Sequence, residues 1–380
     1  MAHITLDGIS KSFGKIQALK NIDLEVRDRE FFVLFGPSGA GKTTVLKTVA
    51  GIEFPDGGLL RFDDEIMNLV EPALRNVSMV FENYALYPHM TVYDNIASPM
   101  RSPLHRKDEQ FIKQSVQKVA DMLGIGHLLE RLPSQLSNGQ RQRTAIGRCL
   151  VRSPRVFLMD EPLAHLDAKL RHLMRTELKA MQTEFDTTTI YVTHDYTEAM
   201  SLSDRVGIID KGEIVQIGSS DEIYYTPVNE FVAKLVGEPE INMVDIDLVR
   251  RGDLLYAVSC DSGHFFPVEE DVARVLENAP YDGVGRWRMG IRGINVGYSF
   301  EKSDDCVEGT VYNLEPIGNK SILTIKVKDL FFQAVAQNDL QAELDSRIFM
   351  TLDMQNALFF NGETGAFVTR HNQAELVGRH

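Results

Sequence analysis

The chain has 380 residues, of which 43% are hydrophobic and 25% charged, and its formal net charge is −14. This composition is typical of a soluble globular protein, and the length predicts two domains, or one large and one small domain. The acidic balance gives no support to nucleic-acid binding, because an excess of negative charge repels a phosphate backbone. We therefore expect no nucleic-acid partner.

The cysteines and the apolar runs narrow the class further. Cys149, Cys260 and Cys306 are far apart and show no CxxC spacing, which excludes a disulfide framework and a zinc site. The first residues lack a basic segment followed by an apolar run, and no run of about 18 apolar residues occurs. We expect a cytoplasmic protein without a signal peptide or a membrane-spanning helix, so any membrane role would be peripheral.

Short apolar runs alternate with helical patterns in the first part of the chain, which we assign to a domain at 1–235. Continuous apolar runs are typical of strands buried on both faces, and their alternation with helices predicts a mostly parallel α/β core. The apolar spacing at Ala168–Phe185 predicts a helix, and the segments 58–65 and Glu213–Gly218 are expected at the edges of the core. The runs that predict strands are Phe31–Phe35, 77–81, 156–159, 190–192 and 206–209.

Two other regions have a different pattern of apolar and turn residues. The segment at about 84–154 shows no convincing strand pattern, and we predict a helical subdomain there. Residues 237–240, Gly-Glu-Pro-Glu, resemble a linker, and the region 236–380 consists mainly of short alternating runs between turn residues. This pattern predicts a second domain that is a small β-barrel or β-sandwich.

Residues 36–43 read GPSGAGKT and match the pattern G-x-x-x-x-G-K-[ST], with an apolar strand before them and a helical run after them. Glycines let backbone amides turn towards phosphates, and the following helix N-terminus favours anions. Lys42 is expected to reach the β- and γ-phosphates, and the Thr43 hydroxyl to ligate Mg²⁺. An ordinary glycine-rich turn is the alternative. The predicted phosphate-binding residues are Gly36, Ser38, Gly39, Ala40, Gly41, Lys42, Thr43 and Thr44.

Two carboxylates follow the predicted strand 156–159. Asp160 at its tip is placed to hold Mg²⁺, directly or through water, and Glu161 is the candidate to polarise an attacking water. An Asp-Glu pair alone would be a weak signal, since such pairs often only solvate a turn. Together with the phosphate loop, it predicts nucleotide hydrolysis.

A second phosphate-binding phrase, LSNGQRQR at 136–143, precedes a helical run at 144–151. Serine and glycine at a helix N-terminus favour anion binding. Since one chain needs only one cradle for a γ-phosphate, the second phrase indicates a site completed by another subunit.

These motifs carry a resemblance. Together with VTHD at 192–195, MDEPLAHLDAKLR at 159–171 and ENYALYPHMTVYDNI at 82–96, they resemble the ATP-binding subunits of ABC transporters, in the carbohydrate-importer branch of maltose and glycerol-3-phosphate type. The resemblance covers essentially the whole chain. It implies a P-loop ABC ATPase core with a helical subdomain, followed by an all-β, OB-like (TOBE-type) regulatory domain, with ATP and Mg²⁺ as cofactors.

The resemblance also implies roles for particular residues. Phe13 would stack on adenine, although a core phenylalanine is the alternative. His194 would bind the γ-phosphate and orient water beside Glu161, although a histidine at a strand end is often only structural. Asp167 matches a loop that communicates across a dimer. The residues expected to contact the γ-phosphate held by a partner are Ser137, Gly139 and Gln140.

The partners implied are a second ATPase subunit, identical or related, two membrane-spanning permease subunits, and, indirectly, an extracytoplasmic solute-binding protein. Residues 84–89 resemble the surface that receives the permeases' coupling helices. The chain would then drive uptake of a sugar, polyol or glycerol-phosphate-like solute from the cytoplasmic face of the inner membrane. Two alternatives remain: an ABC-type ATPase outside transport, and a weakly hydrolytic, regulatory half of a heteromeric ATPase pair.

Two positions depart from the family pattern. Glu82 stands where the family has glutamine; it offers an oxygen ligand to Mg²⁺ but adds a third carboxylate near Asp160 and Glu161. Asn138 stands in place of a glycine, and asparagine is the residue that best tolerates a left-handed backbone after glycine. The two departures suggest a slow half-site that pairs with a different ATPase.

Overall fold

The computed structural model describes residues 2–103, 106–152, 154–164, 166–185, 187–260, 263–268, 270–278, 287–303 and 306–370. Positions 104, 105 and 153 of the expected helical subdomain, His165 of the motif at 159–171 and the last ten positions, 371–380, of the second domain lie outside the described residues. The chain forms two compact units, Met1–Ser220 and Asp221–His380.

The first unit contains two sheets and a group of helices. Its described strands are β1 (Ile4–Phe13), β2 (Ile16–Val26), β3 (Phe31–Phe35), β4 (Gly57–Phe62), β5 (Glu65–Ile66), β6 (Val77–Val80), β7 (Val156–Asp160), β8 (Thr188–Thr193), β9 (Arg205–Asp210) and β10 (Glu213–Gly218). Its described helices are α1 (Lys42–Ala50), α2 (Val92–Arg101), α3 (Glu109–Met122), α4 (Asn138–Leu150), α5 (Ala168–Phe185) and α6 (Tyr196–Leu202), with 3₁₀ turns at Pro72–Leu74, Gly126–Leu128 and Pro133–Gln135.

The larger sheet has the strand order β10-β9-β3-β8-β7-β6. Its strands are parallel except β10, which pairs antiparallel with β9 at the edge. Every residue of β3, β7 and β8 is buried, as the continuous apolar runs predict for strands covered on both faces. The predicted parallel core, the helix α5 and the edge position of β10 are confirmed.

The smaller sheet was not predicted. It has the order β2-β1-β4-β5 and is antiparallel throughout. The segment 58–65, expected at the edge of the parallel core, instead belongs to this sheet, because β4 pairs with β1 from Ile4 opposite Phe62 to Ser10 opposite Gly57. The strand β4 is therefore a partner of the β1–β2 hairpin and not an edge strand of the larger sheet.

The predicted helical insertion is confirmed by α2, α3 and α4, and the described residues between 92 and 151 contain no strand. Thr91 and Asp108 cap α2 and α3 through bonds from backbone amides. The helices pack closely: a methyl group at Gly147 of α4 would lie 3.2 Å from Cδ1 of Ile96 in α2. In the described part of the chain, no helix is long and apolar enough to cross a bilayer.

The second unit is mainly antiparallel β-structure. Two sheets, of order β13-β12-β11-β14-β20-β21 and β15-β19-β16-β17-β18, contribute to one apolar core. The predicted β-rich character is confirmed, but helices α7 to α9 were not predicted. The elements are α7 (Ser220–Tyr225), α8 (Glu230–Leu235), β11 (Asn242–Arg251), β12 (Leu254–Ser259), β13 (Phe265–Val268), α9 (Glu270–Asn278), β14 (Trp287–Ile291), β15 (Val296–Ser299), β16 (Val307–Ile317), β17 (Lys320–Val327), β18 (Leu330–Gln337), β19 (Arg347–Leu352), β20 (Leu358–Asn361) and β21 (Phe367–Arg370), with 3₁₀ turns at Gly293–Asn295 and Met354–Asn356.

The boundary between the units lies after Ser220, earlier than the expected boundary at 235. The reason is a set of contacts made by two arginines of the second unit. The Arg292 guanidinium donates to the carbonyls of Tyr224 and Val236, each at 2.6 Å, and Arg288 forms an ion pair of 2.8 Å with Glu230. Residues 221–235 thus pack with the β-rich unit, and residues 237–240 lie inside it rather than forming a linker.

Candidate functional site

The phosphate loop lies between β3 and α1, and its backbone requires glycine. Gly39 and Gly41 have φ angles of +78° and +110°, in the left-handed region. A Cβ atom at Gly36 would lie 2.1 Å from the carbonyl oxygen of Ile209, and one at Gly41 would lie 2.8 Å from that of Ala18. The loop therefore passes close to neighbouring backbone and leads directly into α1. The first backbone amides of a helix have no partner within the helix and can bind an anion.

A cavity of about 530 Å³ opens over this loop. Most of the predicted phosphate-binding residues line it. Gly36 and Ala40, which belong to the same loop, are buried and do not line the cavity. The sequence did not indicate the lining contributed by the β1–β2 hairpin or by the β9–β10 turn, because neither carries a recognisable motif. The lining residues are Ile16, Gln17, Ala18, Lys20, Ser38, Gly39, Gly41, Lys42, Thr43, Thr44, Glu82, Glu161, Lys211 and Gly212.

Lys42 is the buried cation of the site, with only 4% of its side chain exposed. Its Nζ donates to the carbonyls of Gly36 at 2.9 Å and Pro37 at 3.0 Å, and lies 3.5 Å from Oε1 of Glu161. These contacts fold the lysine back over its own loop, so that its charge faces the cavity. The expected approach of Lys42 to a phosphate is compatible with this position.

Thr43 and Asp160 meet at the end of β7. The Thr43 hydroxyl donates to Oδ1 of Asp160 at 2.9 Å. Burial raises the pKa of Asp160, the bond from Thr43 lowers it, and the nearby Glu161 and Glu82 carboxylates raise it further, so the net pKa is above the ordinary value. A cation would relieve this accumulation of negative charge.

Glu161 and His194 form a hydrogen-bonded pair. Glu161 has a φ angle of +44° and donates its backbone N–H to the Val192 carbonyl at 3.0 Å, which fixes it beside the end of β8. Its Oε2 lies 2.7 Å from Nδ1 of His194, whose side chain is 57% exposed. The structure thus brings together Lys42, Glu161 and His194, which are distant in sequence.

The three side chains proposed from the sequence as cation ligands lie in one region, and cation binding by them stays a prediction. Thr43 and Asp160 are in contact, and Glu82, which is exposed after β6, lines the same cavity and acts electrostatically on Asp160. Oxygen donors of this kind suit Mg²⁺. In the described residues, no three His, Cys, Asp or Glu side chains converge as a metal cluster.

Phe13 lies at the end of β1, in the hairpin that also provides lining residues. Its ring is 44% exposed and does not line the cavity, and Nζ of Lys11 lies 5.5 Å from its centroid. The alternative of a core phenylalanine is therefore wrong. Stacking on adenine stays a prediction.

The second phosphate-binding phrase begins α4. Ser137 is its N-cap and accepts from the Gln140 amide at 3.3 Å, while the Gln140 side chain accepts from the Ser137 amide at 3.0 Å. Ser137 and Asn138 are exposed, Gly139 is buried, and none of the phrase lines the cavity. Asn138 is the first residue of the right-handed helix, so the tolerance of asparagine for a left-handed backbone is not needed at this position.

The segment 84–89 is held by hydrogen bonds from the partly exposed Arg148 and the fully buried Asn95. Tyr84 and Ala85 have positive φ angles, and the Arg148 guanidinium of α4 donates to both of their carbonyls, at 3.1 and 2.7 Å. Asn95, fully buried, accepts from the Tyr87 amide and donates to the Tyr87 carbonyl. The Tyr87 ring is left 46% exposed.

Comparison with known proteins agrees with this geometry. The ABC transporter family model matches residues 19–164. The trehalose/maltose import ATP-binding protein MalK of Thermococcus litoralis is 40% identical over 380 residues, covering 96% of this chain and 99% of the relative. The chain belongs to the family of ABC transporter ATP-binding proteins. As an ABC ATPase it binds and hydrolyses ATP.

Other relatives of this ABC ATPase match it over most of their length and are named for different sugars. The xylose/arabinose import ATP-binding protein XacK of Haloferax volcanii is 40% identical and covers 96% of this chain and 95% of its own. The maltose/maltodextrin import ATP-binding protein MalK of Vibrio vulnificus is 39% identical and covers 91% of each chain. Among solved structures, the ATP-binding cassette MJ0796, a dimer bound to ADP and Pi, is 27% identical with a TM-score of 0.53 and covers 57% of this chain and 98% of its own.

Proposed function

We propose that this ABC ATPase couples ATP hydrolysis to the uptake of a small solute, most plainly a sugar, with polyols and glycerol-phosphate-like compounds as the other candidates. The names of the relatives support sugar import. The observation that carries the hydrolytic assignment is the contact of Glu161 with both Lys42 and His194 at the mouth of the phosphate loop. The solute itself would be chosen by other subunits.

In the proposed reaction, the phosphate loop and Lys42 bind the β- and γ-phosphates. Thr43 and Asp160, with Glu82, would hold Mg²⁺, which neutralises phosphate charge when it is bound. Glu161 accepts a proton from the attacking water, and its hydrogen bond to His194 fixes the direction of the carboxylate. His194, exposed on its other side, orients the γ-phosphate and the water.

The proposed active assembly contains two ATPase subunits. Ser137, Gly139 and Gln140 lie at the N-terminus of α4 outside the cavity of their own chain, so they are available to close the site of a partner. The dimeric cassette among the solved structures supports this arrangement. The partner is proposed to be a second copy or a related subunit.

The segment 84–89 is the proposed docking surface for the membrane-spanning permease subunits, of which the complex is proposed to contain two. Tyr87 presents an aromatic ring on a loop that Arg148 and Asn95 hold rigid, and exposed aromatic side chains are common anchors at interfaces. The ATPase would then work at the cytoplasmic face of the inner membrane, and an extracytoplasmic solute-binding protein would act on it only through the permeases. The β-rich unit is proposed to be regulatory.

Replacing Glu161 tests the hydrolytic assignment. Glu161→Gln keeps the size and the acceptor oxygen but removes the base, so kcat for ATP hydrolysis should fall by about a hundredfold or more, while ATP affinity stays within about twofold. Glu71→Gln, at an exposed carboxylate outside the cavity, is the control and should leave kcat unchanged. Wild-type turnover in Glu161→Gln would overturn the assignment.

A further inference from the structure

Beyond the catalytic pair, the first turn of α6 contains a buried carboxylate that no motif explains. Glu198 is 2% exposed, and its Oε2 accepts from the Tyr191 hydroxyl and from the Thr193 hydroxyl, each at 2.8 Å. A buried carboxylate costs free energy unless it is hydrogen-bonded or paired. These two bonds place Glu198 against the last residues of strand β8, directly before His194.

The bonds fix the backbone on both sides of His194. The Thr193 hydroxyl donates to Glu198 and accepts from the Asp195 amide at 3.0 Å. Asp195 in turn caps α6 by accepting from the amides of Thr197 and Glu198. The residue before His194 and the residue after it are therefore both tied to the start of α6.

Arg171 of α5 connects this arrangement to a second loop. One guanidinium nitrogen, Nη1, donates to Oδ2 of Asp195 at 3.2 Å, and Nη2 donates to the Leu166 carbonyl at 3.2 Å. Its Nε lies 3.9 Å from Oε1 of Glu198. Leu166 belongs to the loop between β7 and α5, which begins at Glu161 and contains Asp167. One side chain thus spans the loops of both catalytic residues.

The groups of this network have opposing effects on the pKa of Glu198. Burial raises the pKa of Glu198 above its ordinary value, the bonds from Thr193 and Tyr191 lower it, Asp195 raises it, and Arg171 lowers it. Removal of Arg171 would leave two carboxylates close together with no cation bonded to them, which favours rearrangement of the loop that holds His194.

We propose that Glu198 and Arg171 are positioning residues that hold the His194 imidazole against Glu161 and link that pair to the loop containing Asp167. The inference rests on the proposed function, because it assumes that the Glu161–His194 pair is catalytic. Neither residue touches the cavity, so both act on hydrolysis through the position of His194 and not through nucleotide binding.

The test compares three variants of the full-length chain with two matched controls. Glu198→Gln, Arg171→Met and Thr193→Val should each lower kcat for ATP hydrolysis by about tenfold or more and leave the Kd for ATP within about twofold. Arg175→Met, which removes the same charge one helical turn further along α5, and Thr189→Val, which removes a buried hydroxyl from the same strand, are the matched controls and should keep kcat within about twofold. Thr193→Val removes only a hydroxyl, so it remains informative where a larger change prevents folding.

A His194→Ala background separates positioning from loss of stability. There, each of the three substitutions should lower the residual kcat by less than about twofold, because the side chain that they position is gone. Full, additive losses in that background, or wild-type kcat of the three variants in the presence of His194, would overturn the inference while the proposed function stands. Wild-type turnover in His194→Ala alone would instead overturn the proposed role of His194.

Discussion

At the scale of single residues, Glu82 adds a further negative charge to a site that already holds Asp160 and Glu161. Glu82 and Glu161 both line the cavity, and both raise the pKa of Asp160. Glu82 follows β6, whereas Glu161 follows β7. A glutamine at this position would keep an oxygen for the cation and remove the repulsion between carboxylates. The structure therefore gives a physical basis for the hypothesis of a slow half-site.

We expect Glu82→Gln to raise kcat for ATP hydrolysis by about threefold or more, since one negative charge beside the γ-phosphate site is removed. Steady-state hydrolysis by the purified protein at saturating Mg²⁺ and ATP measures this. Glu71→Gln serves again as the control for an exposed carboxylate elsewhere. A turnover no faster than wild type would show that Glu82 does not limit the site.

A buried thiol gives an independent prediction about exposure. Burial raises the pKa of Cys149 in α4 to about 12, so roughly 10⁻⁴ of the thiol is ionised at pH 8. Because only the thiolate reacts, iodoacetamide at pH 8 should modify the exposed Cys260 and leave Cys149 unmodified in the native protein. In about 6 M urea, where the thiol returns to its ordinary pKa, Cys149 should react as well. Peptide mass spectrometry distinguishes these outcomes, and rapid native labelling of Cys149 would contradict them.

The sequence indicated the candidate site residues more readily than the contacts among them. The phosphate loop, Asp160 and Glu161 were recognisable because their chemistry depends on local spacing and on a preceding apolar strand. The bonds of Glu198 and Arg171 were not predictable, because Tyr191, Thr193 and Glu198 meet only when α6 packs back on β8. A glutamate in the first turn of a helix is ordinarily a sign of exposure, not of burial.

At the scale of elements, strand β3 was predictable from the sequence, whereas the hairpin of β1 and β2 was not. Strands buried on both faces leave continuous apolar runs, which is why β3 and β7 were predicted nearly to the residue. The pairing of β1 with β2 has register shifts after Leu6, Ile9 and Lys11, so the alternation of apolar residues that would identify a half-buried strand is interrupted. Only the pairing partners reveal these strands.

Helix α1, which carries Lys42 and Thr43 in its first turn, is fixed at its other end by a fully buried arginine. Arg75 donates to the carbonyls of Thr48 and Val49 in the last turn of α1, and also to those of Met67 and Val70. It therefore adds hydrogen bonds to two carbonyls at the C-terminal end of α1, one of which also accepts from the Gly51 amide, and it connects α1 to the segment before β6. The phosphate loop depends on this distant contact for a rigid support.

We expect Arg75→Met to lower the free energy of unfolding by about 3–5 kcal/mol, because four carbonyls, three of them in buried bonds, each lose a hydrogen bond from the guanidinium. Urea denaturation followed by circular dichroism measures the change. Arg61→Met, at a partly exposed arginine 3.9 Å from Asp7, is the control and should cost less than about 1 kcal/mol. Equal effects of the two substitutions would mean that the buried bonds contribute little.

At the scale of the whole molecule, each of the two units has an apolar core of its own. The nucleotide cavity is built entirely from residues of the first unit, so ATP stabilises that unit directly. Ligand at about 100 times its Kd adds about 2.7 kcal/mol to the stability of the species that binds it. The two units should therefore respond differently to nucleotide.

Differential scanning calorimetry should show two transitions, of which only one rises, by about 5 °C or more, when Mg²⁺ and ATP are added. Lys42→Ala should abolish this rise, since it removes the cation that faces the phosphates. A single transition that shifts as a whole would contradict independent unfolding of the units.

Helix α4 has consequences beyond its role in the helical subdomain. Its N-terminus presents Ser137 and Gln140, and near its C-terminus Arg148 holds the carbonyls of Tyr84 and Ala85. The two ends are about 16 Å apart, given a rise of about 1.5 Å per residue. Such a rod works as a lever: a tilt of about 10° at the end that meets a partner's nucleotide would move the proposed docking loop by about 3 Å. In the proposed assembly, a movement at one nucleotide site would thereby reach the permease through a single rigid body.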